Sequence, residues 1–439
     1  MSTPLARVLA ALYARVPRGM RLDVDSLADM RAACARAGNP ESTFETVHVA
    51  GTNGKGSVCA MVESIARAAG RKTGLYTSPH LCRFAERIRI DGEPIDDDAL
   101  ARVLERALAL GPDLSFFETA TLAAFLAFQE AKVDLAVLEV GIGGRLDATN
   151  VIPPPRVAAV TRIAFDHMDK LGDTLVAIAR EKAAIAKPGV PLVVGDNDLE
   201  VRDAIDAVAH AAGATTVSAS SDTDHVATLS WVHAATGPLP GEHQYGNRAV
   251  AYRIARLLGY GDAAIRQGLR ATRWPGRLER IETEEGLYLL DGAHNPDGAA
   301  ALARYLRPPP AGHEDLAPAL YVGQGNIALV FGALADKAWP EMLDRLAPLT
   351  LNRVYVAPRG RAAAPPAELA ARHPGETADS VPEALARARA LLQTEGAARD
   401  GRDGRDGRDG IVVVCGSLYL VGEARAQLLA LPSDPPVAL

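Results

Sequence analysis

Residues Val47 to Ser64 read VHVAGTNGKGSVCAMVES. Val47 to Ala50 form a short apolar run that enters a glycine-rich turn. The turn carries Lys55 and Ser57, and the pattern beyond it is helical. A strand that breaks into such a turn and resumes as a helix aims backbone N–H groups, one cation and one hydroxyl at a single anion. This spacing predicts a phosphate-binding loop built from Thr52, Asn53, Gly54, Lys55, Gly56 and Ser57, and a nucleotide polyphosphate is the obvious anion. The loop departs from the strict P-loop pattern in two places. Val49 stands where that pattern has glycine, and Gly56 separates Lys55 from Ser57.

Working outward, apolar residues at 58, 61, 62, 65 and 69 predict a helix stopped by Gly70. LYTS (75–78) reads as a strand, and 97–110 and 118–129 read as helices. DLAVLEVG (134–141), VAAVTRIAF (157–165) and VPLVVG (190–195) are apolar runs suited to strands covered on both faces. A helix is expected over 173–186 and another over 247–258. This alternation predicts an α/β fold whose N-terminal domain is a P-loop, doubly wound, mostly parallel sheet. After the connector TRWPGRLER (272–280), a second alternating series begins at LYLLDGAHNPDGAAALARYL (287–306). It predicts a smaller α/β, Rossmann-like C-terminal domain, dividing the chain at 1–280 and 281–439. Residues 196–245 carry no usable pattern. The RDG run at 399–410 reads as a flexible surface loop.

The chain has 439 residues and a formal charge of −7. Two domains are the natural expectation at that length, and the charge argues against a nucleic-acid partner. The four cysteines (Cys34, Cys59, Cys82, Cys415) are scattered without a CxxC pair, as expected of reduced, buried thiols in a cytoplasmic protein. The N-terminal stretch, interrupted by Arg7, Arg15 and Arg18, reads as an amphipathic helix rather than a signal peptide. The apolar stretch 119–140 contains Gln129, Glu130, Lys132 and Asp134, so no membrane span is expected.

Four more clusters lie in loops after expected strands: YTSPHL (76–81), LEVGIGGRLDATN (138–150), AFDHMD (164–169) and DGAHNPDG (291–298). Glu139 sits where P-loop enzymes place a carboxylate that helps hold Mg²⁺. Read singly, Ser78 is a turn residue or cap, Glu139 a solvated acid and His167 a satisfied loop histidine. Read together, they share the ligand-binding edge of one parallel sheet. Lys182, beside Glu181 in a helix, reads by itself as a surface lysine.

Ten segments in order, among them GTNGKGS (51–57), SPH (78–80), ERIRIDG (86–92), EVGIGGRLDATN (139–150), DHMDKLG (166–172), DGAHNP (291–296) and CGSLYLVGE (415–423), resemble the dihydrofolate synthase/folylpolyglutamate synthase family, a branch of the Mur ligase superfamily. The resemblance runs from about residue 20 to 425. It implies an ATP-dependent amide ligase that joins L-glutamate to dihydropteroate, to tetrahydrofolate or to both, through an acyl phosphate. It further implies Mg²⁺, two ions in all, with room for K⁺, and a monomeric protein. Ser78, Glu139 and His167 match metal ligands, and Lys182 matches a lysine that is carbamylated. Asn247, Arg277 and Asp291 match ATP contacts, while His294 and Ser417 match the glutamate site. Ser115, Phe116, Phe117, Glu118, Leu146, Asp147 and Ala148 match the pterin pocket. Lys55, Lys182 and His167 match the catalytic set. Arg21-Leu22-Asp23 stands where the bifunctional branch often has Asp-Leu-Gly in its pterin loop, which puts the dihydropteroate site in doubt.

Two other functions fit the loop less well. Mur-type cell-wall ligases generally carry a separate domain before the P-loop, where 50 residues precede Gly51 here. A GTPase switch needs an Asn-Lys-x-Asp motif, and the nearest segment, Ala335-Asp336-Lys337, does not supply it.

Overall fold

A computed structural model of the chain describes residues 3–19, 27–219, 239–307, 327–399 and 410–434. Fourteen strands are found among them, in two sheets. The first sheet contains β1 (Glu45–Ala50), β2 (Thr73–Tyr76), β3 (Ile88–Ile90), β4 (Glu93–Pro94), β5 (Leu135–Glu139), β6 (Val157–Val160), β7 (Pro191–Val194) and β8 (Thr215–Ser218), in the order β4-β3-β2-β5-β1-β6-β7-β8. Only the β2–β3 and β3–β4 pairings are antiparallel. The P-loop strand β1 is central, flanked in parallel by β5 and β6.

The continuous apolar runs are explained by burial on both faces. Leu135 and Val137 point into a core with helices Lys55–Ala68, His243–Leu257 and Asp262–Ala271. Ala136 and Leu138, on the opposite face, pack with Asp97–Leu110 and Phe116–Ala131. Asp96 caps the former helix by accepting from Ala99 N at 2.8 Å. A third cluster seats Leu175–Ala183 and Leu199–Ala211 on Ala158, Val160 and Leu192. The N-terminal helix, Pro4–Tyr13, buries Leu5, Leu9 and Leu12 as its amphipathic pattern requires.

The second sheet contains β9 (Glu279–Thr283), β10 (Gly286–Leu290), β11 (Ile327–Phe331), β12 (Asn352–Val356), β13 (Glu376–Ala378) and β14 (Ile411–Cys415), in the order β13-β12-β11-β14-β10-β9. It is parallel except for the β9–β10 hairpin. Leu289 and Val413 face one core; Tyr288, Leu290, Val412 and Val414 face the other. Both sheets are therefore mostly parallel and doubly wound, as expected.

Two sequence readings change. The run VAAVTRIAF yields a strand only over Val157–Val160, because the chain turns at Thr161 to meet the phosphate loop. Part of the unassigned stretch is regular, comprising Leu199–Ala211 and β8, whereas 220–238 lies outside the described residues. Most of the RDG run, 400–409, does too. All four cysteines are free and buried. Among the described residues, no helix is long and apolar enough to cross a membrane.

Candidate active site

The loop after β1 begins helix Lys55–Ala68, and no side chain caps that helix. Its first-turn N–H groups, which have no intrahelical acceptor, are left for a ligand. Gly54 has φ of +90°, and a Cβ there would lie 2.2 Å from Asn247 Oδ1. Glycine is thus demanded by backbone conformation and by close approach at once. Asn247 donates to Gln244 Oε1 at 2.9 Å, and Gln244 Nε2 donates to Ser57 Oγ at 3.4 Å. Helix His243–Leu257 thereby braces the loop from one side. Trp274 of the connector covers Gly56 from another, since a Cβ on Gly56 would meet Trp274 Nε1 at 2.9 Å.

A cavity of about 490 Å³ opens above this loop. It is lined by Thr52 to Ser57, Ser78, Glu139, His167, Lys182, Asn247, Arg277, Asp291 and His294, joining both sheets' loops. Glu139 ends β5, is buried, accepts from Ser78 N at 3.0 Å and lies 4.0 Å from Lys55 Nζ. Burial raises its pKa, with the Lys55 charge, the Ser78 N–H and the Arg277 charge acting against that rise. His167 sits at φ +50° after β6. Burial lowers its pKa to about 4, so the imidazole is neutral near pH 7 and its lone pair is available.

Lys182 is not the surface lysine its neighbour Glu181 suggested. It is 5% exposed, and its Nζ donates to Gly51 O at 2.9 Å, directly beneath the phosphate loop. Burial first, and the Lys55 charge second, bring its pKa down to about 7. The helical spacing of Leu175–Ala183 gave no sign of this, because the face that meets the loop is set by tertiary packing.

A second cavity of about 290 Å³ adjoins the first. Its lining includes Ser115, Phe116, Phe117, Glu118, Leu146, Ala148 and Ser417. Ser78, His167 and His294 line both cavities. Ser115 and Glu118 also satisfy each other as a capping box, with Ser115 N donating to Glu118 Oε2 at 2.7 Å. Ser417 caps helix Leu418–Leu429. Asp147 stands apart from the other six pterin-pocket matches, because it does not line the cavity. Its Oδ2 accepts from Gly141 N and Ile142 N at 2.9 and 3.1 Å, and its Oδ1 from Thr149 N at 3.0 Å, so it pins the glycine-rich loop from within. Asp291 is likewise engaged by backbone, accepting from Leu278 N at 2.9 Å and Ala293 N at 3.0 Å, while still facing the larger cavity. Arg21, Leu22 and Asp23 lie outside the described residues.

Several groups escaped the sequence reading. Lys337, which there served only to reject a GTPase motif, donates to Asp166 Oδ1 at 2.6 Å from across the two sheets. His294 Nε2 lies 3.6 Å from the other Asp166 oxygen. Burial would raise the Asp166 pKa, but the His294 hydrogen bond and the His294, His167 and Lys337 charges hold it well below the usual carboxylate range. Asn53 of the phosphate loop donates to Asp297 Oδ2 at 2.8 Å and accepts from Asn295 Nδ2 at 2.9 Å. Asn295 and Asp297 had a visible signal, the Asn-Pro-Asp start of a helix after a strand, but no sequence pattern names the partner.

Among the described residues, no cluster of three or more His, Cys, Asp or Glu forms a metal site by itself. The carboxylate of Glu139, the Ser78 hydroxyl and the neutral His167 nonetheless share one cavity beside the phosphate loop. That incomplete donor set fits a cation whose remaining ligands are phosphate oxygens and water.

The Mur ligase middle domain family matches residues 49–254, and the Mur ligase glutamate ligase domain matches residues 276–418. A folylpolyglutamate synthase of Lacticaseibacillus casei is 36% identical over 427 residues, covering 89% of this chain and 92% of that protein. A dihydrofolate synthase/folylpolyglutamate synthase of Escherichia coli is 36% identical, covering 85% and 84%. The solved structure of Mycobacterium tuberculosis folylpolyglutamate synthase with ADP and AMPPCP superposes with a TM-score of 0.83 at 30% identity, covering 98% of this chain and 99% of that one. The E. coli FolC structure in complex with DHPP and ADP gives 0.76 at 30% identity, covering 98% of each chain. With a phosphate loop facing a second α/β unit across a shared cavity, and with relatives alike over nearly their full length, the chain belongs to the dihydrofolate synthase/folylpolyglutamate synthase family of Mur-type ligases.

Proposed function

We propose that the chain uses ATP to activate the free carboxylate of dihydropteroate, tetrahydrofolate or both, and then joins it to the amino group of L-glutamate. The observation that carries this reading is the sharing of Ser78, His167 and His294 between the two cavities. A nucleotide in the larger one and a carboxylate-bearing aromatic acceptor in the smaller one would meet at those three residues.

In this reading, Lys55 and the uncapped helix N-terminus hold the β- and γ-phosphates, with Asn247, Arg277 and Asp291 beside the rest of the nucleotide. Phe116, Phe117, Leu146 and Ala148 give the acceptor an apolar seat. An acceptor carboxylate oxygen bonds to the γ-phosphorus as the bond to the ADP oxygen breaks. The glutamate amine, held near His294 and Ser417, then forms the C–N bond while the C–O bond to phosphate breaks. The amine loses one proton, and phosphate departs. Both steps need alignment and charge neutralisation more than covalent help from the protein. Mg²⁺ held by Ser78, Glu139 and His167 would supply further neutralisation of phosphate charge. Neutral Lys182 can take up CO₂, forming one N–C bond and releasing one proton. The resulting anion beneath the loop would suit a second cation.

The division near residue 280 is supported by β9 starting at Glu279, directly after the connector. The decisive experiment measures glutamate-dependent ADP release with dihydropteroate and with tetrahydrofolate, each labelled with ¹⁸O in its carboxylate. One label should appear in the released phosphate. Turnover with neither acceptor would reject the assignment.

A further inference from the structure

Arg87 is a buried cation without an ion-pair partner among the described residues. It is 1% exposed, and no carboxylate lies within ion-pair distance among the described residues. Its guanidinium packs against the edge-to-face pair Phe84 and Phe116, 5.4 and 5.3 Å from their centroids. Its Nε donates to His80 Nδ1 at 2.8 Å, while Nη2 has no hydrogen-bond partner. A sealed donor on a buried charge is costly, and such groups normally find an anion. The two ring contacts help hold the guanidinium in place, and its unpaired Nη2 is a charged donor of the kind a carboxylate takes.

The position of Arg87 says which carboxylate. It lines the acceptor cavity together with Ser78, Pro79 and Tyr419. It also lines a third cavity of about 310 Å³ that shares Pro79 and Tyr419. Two acids of that cavity are already engaged. Glu423 accepts from Arg359 N at 2.7 Å, and Asp434 accepts from Phe84 N at 2.6 Å. Arg87 is also close enough to Glu139 for its charge to oppose the rise in the Glu139 pKa, so it stands near the reacting centre. In a folyl acceptor the α-carbon of the terminal glutamyl residue is three bonds from the reacting carboxyl carbon. Its spare carboxylate therefore has to sit beside that centre.

We propose that Arg87 binds the α-carboxylate of the terminal glutamyl residue of a folyl acceptor, a group that dihydropteroate lacks, and thereby sets the preference for the longer acceptor. This rests on the acceptor-site reading above. The incoming L-glutamate also carries an α-carboxylate, so the test must separate the two sources.

The test compares wild type, Arg87→Met and Arg87→Lys with dihydropteroate, tetrahydrofolate and tetrahydropteroyl-γ-aminobutyrate, which keeps the reacting carboxylate and lacks the α-carboxylate. Wild type should favour tetrahydrofolate over the γ-aminobutyrate analogue by at least about tenfold in kcat/KM, the scale of a lost charged hydrogen bond. Arg87→Met should bring that ratio close to one and raise the KM for tetrahydrofolate far more than that for dihydropteroate. If the Met variant misfolds, Arg87→Lys should reduce the same ratio with the charge retained and the fork lost. An unchanged ratio in the folded variant overturns the proposal, as does a rise confined to the KM for L-glutamate. Failure of wild type to use any acceptor rejects the ligase reading itself, a separate result.

Discussion

Lys337, in the loop after β11 of the second sheet, donates to Asp166, in the loop after β6 of the first, at 2.6 Å. Both side chains are about one-tenth exposed. Removing one partner from so enclosed a pair leaves the other charge uncompensated. Asp166→Asn or Lys337→Met should cost about 2–3 kcal/mol of stability and loosen the approach of the two α/β units. Denaturant melts and small-angle scattering would measure both, and a variant with unchanged melt and dimensions would show the pair to be incidental.

The same pair predicts a response to acid. The folded pKa of Asp166 lies well below its unfolded value. Its stabilisation is therefore full above the unfolded pKa of about 4 and is lost as pH falls below it. The wild-type melting temperature should drop between about pH 5 and pH 3 more steeply than that of Asp166→Asn. Parallel curves would assign the acid sensitivity elsewhere.

Lys182 predicts a pH dependence in a higher window. Its amine titrates near 7 and reacts with CO₂ only when neutral. At fixed dissolved CO₂, a ¹³C carbamate signal should strengthen as pH rises from 6 to 8. Lys182→Ala should lose that signal and most turnover, with partial recovery in the presence of small carboxylic acids. Full turnover in Lys182→Ala would remove the residue from the reaction.

Two substitutions in the phosphate loop separate shape from charge. Gly54→Ala forces a side chain into a φ of +90° and into Asn247. It should raise the KM for ATP by at least about tenfold through strain on the order of 1–3 kcal/mol. Lys55→Ala leaves the shape intact and should reduce glutamate-dependent ADP release by at least about a hundredfold. Full ADP release in Lys55→Ala would mean that the loop serves something other than phosphate.

Asp147 separates a structural acid from a ligand. Asp147→Ala frees two N–H groups of the glycine-rich loop, Gly141 and Ile142, and should cost about 2–3 kcal/mol. The acceptor KM should rise, because Gly141, Ile142, Leu146 and Ala148 of this loop line the acceptor cavity. A binding defect with unaltered melting behaviour would instead indicate direct contact with the ligand.

How much was legible follows from what each signal depends on. GTNGKGS and the apolar strands depend on local spacing, so the sequence reading reached the P-loop, the doubly wound sheet and the loops carrying Ser78, Glu139 and His167. The surroundings of Lys182 depend on which face of a helix meets β1, a tertiary fact with no periodic trace. Asp166 with Lys337, and Asn53 with Asn295 and Asp297, join residues far apart in the chain. A sequence supplies each partner but not the pairing. Asp147 went the other way, because a carboxylate in a glycine-rich loop looks the same on paper whether it faces a ligand or its own backbone.

The central position of β1 has a consequence for how this chain can vary. The phosphate loop follows β1, Glu139 ends β5 and the Asp166–His167 segment follows β6, three adjacent parallel strands in which Val49 is paired with both Glu139 and Ala159. Strand length thus acts as a ruler. Deleting one residue from β1, β5 or β6 would draw one group back by about 3.3 Å relative to the other two, more than a hydrogen bond can stretch, and would turn its side chain to the opposite face. Insertions and deletions should therefore be tolerated at the sheet edges and in outer loops, while these three strands admit substitutions but no change in length.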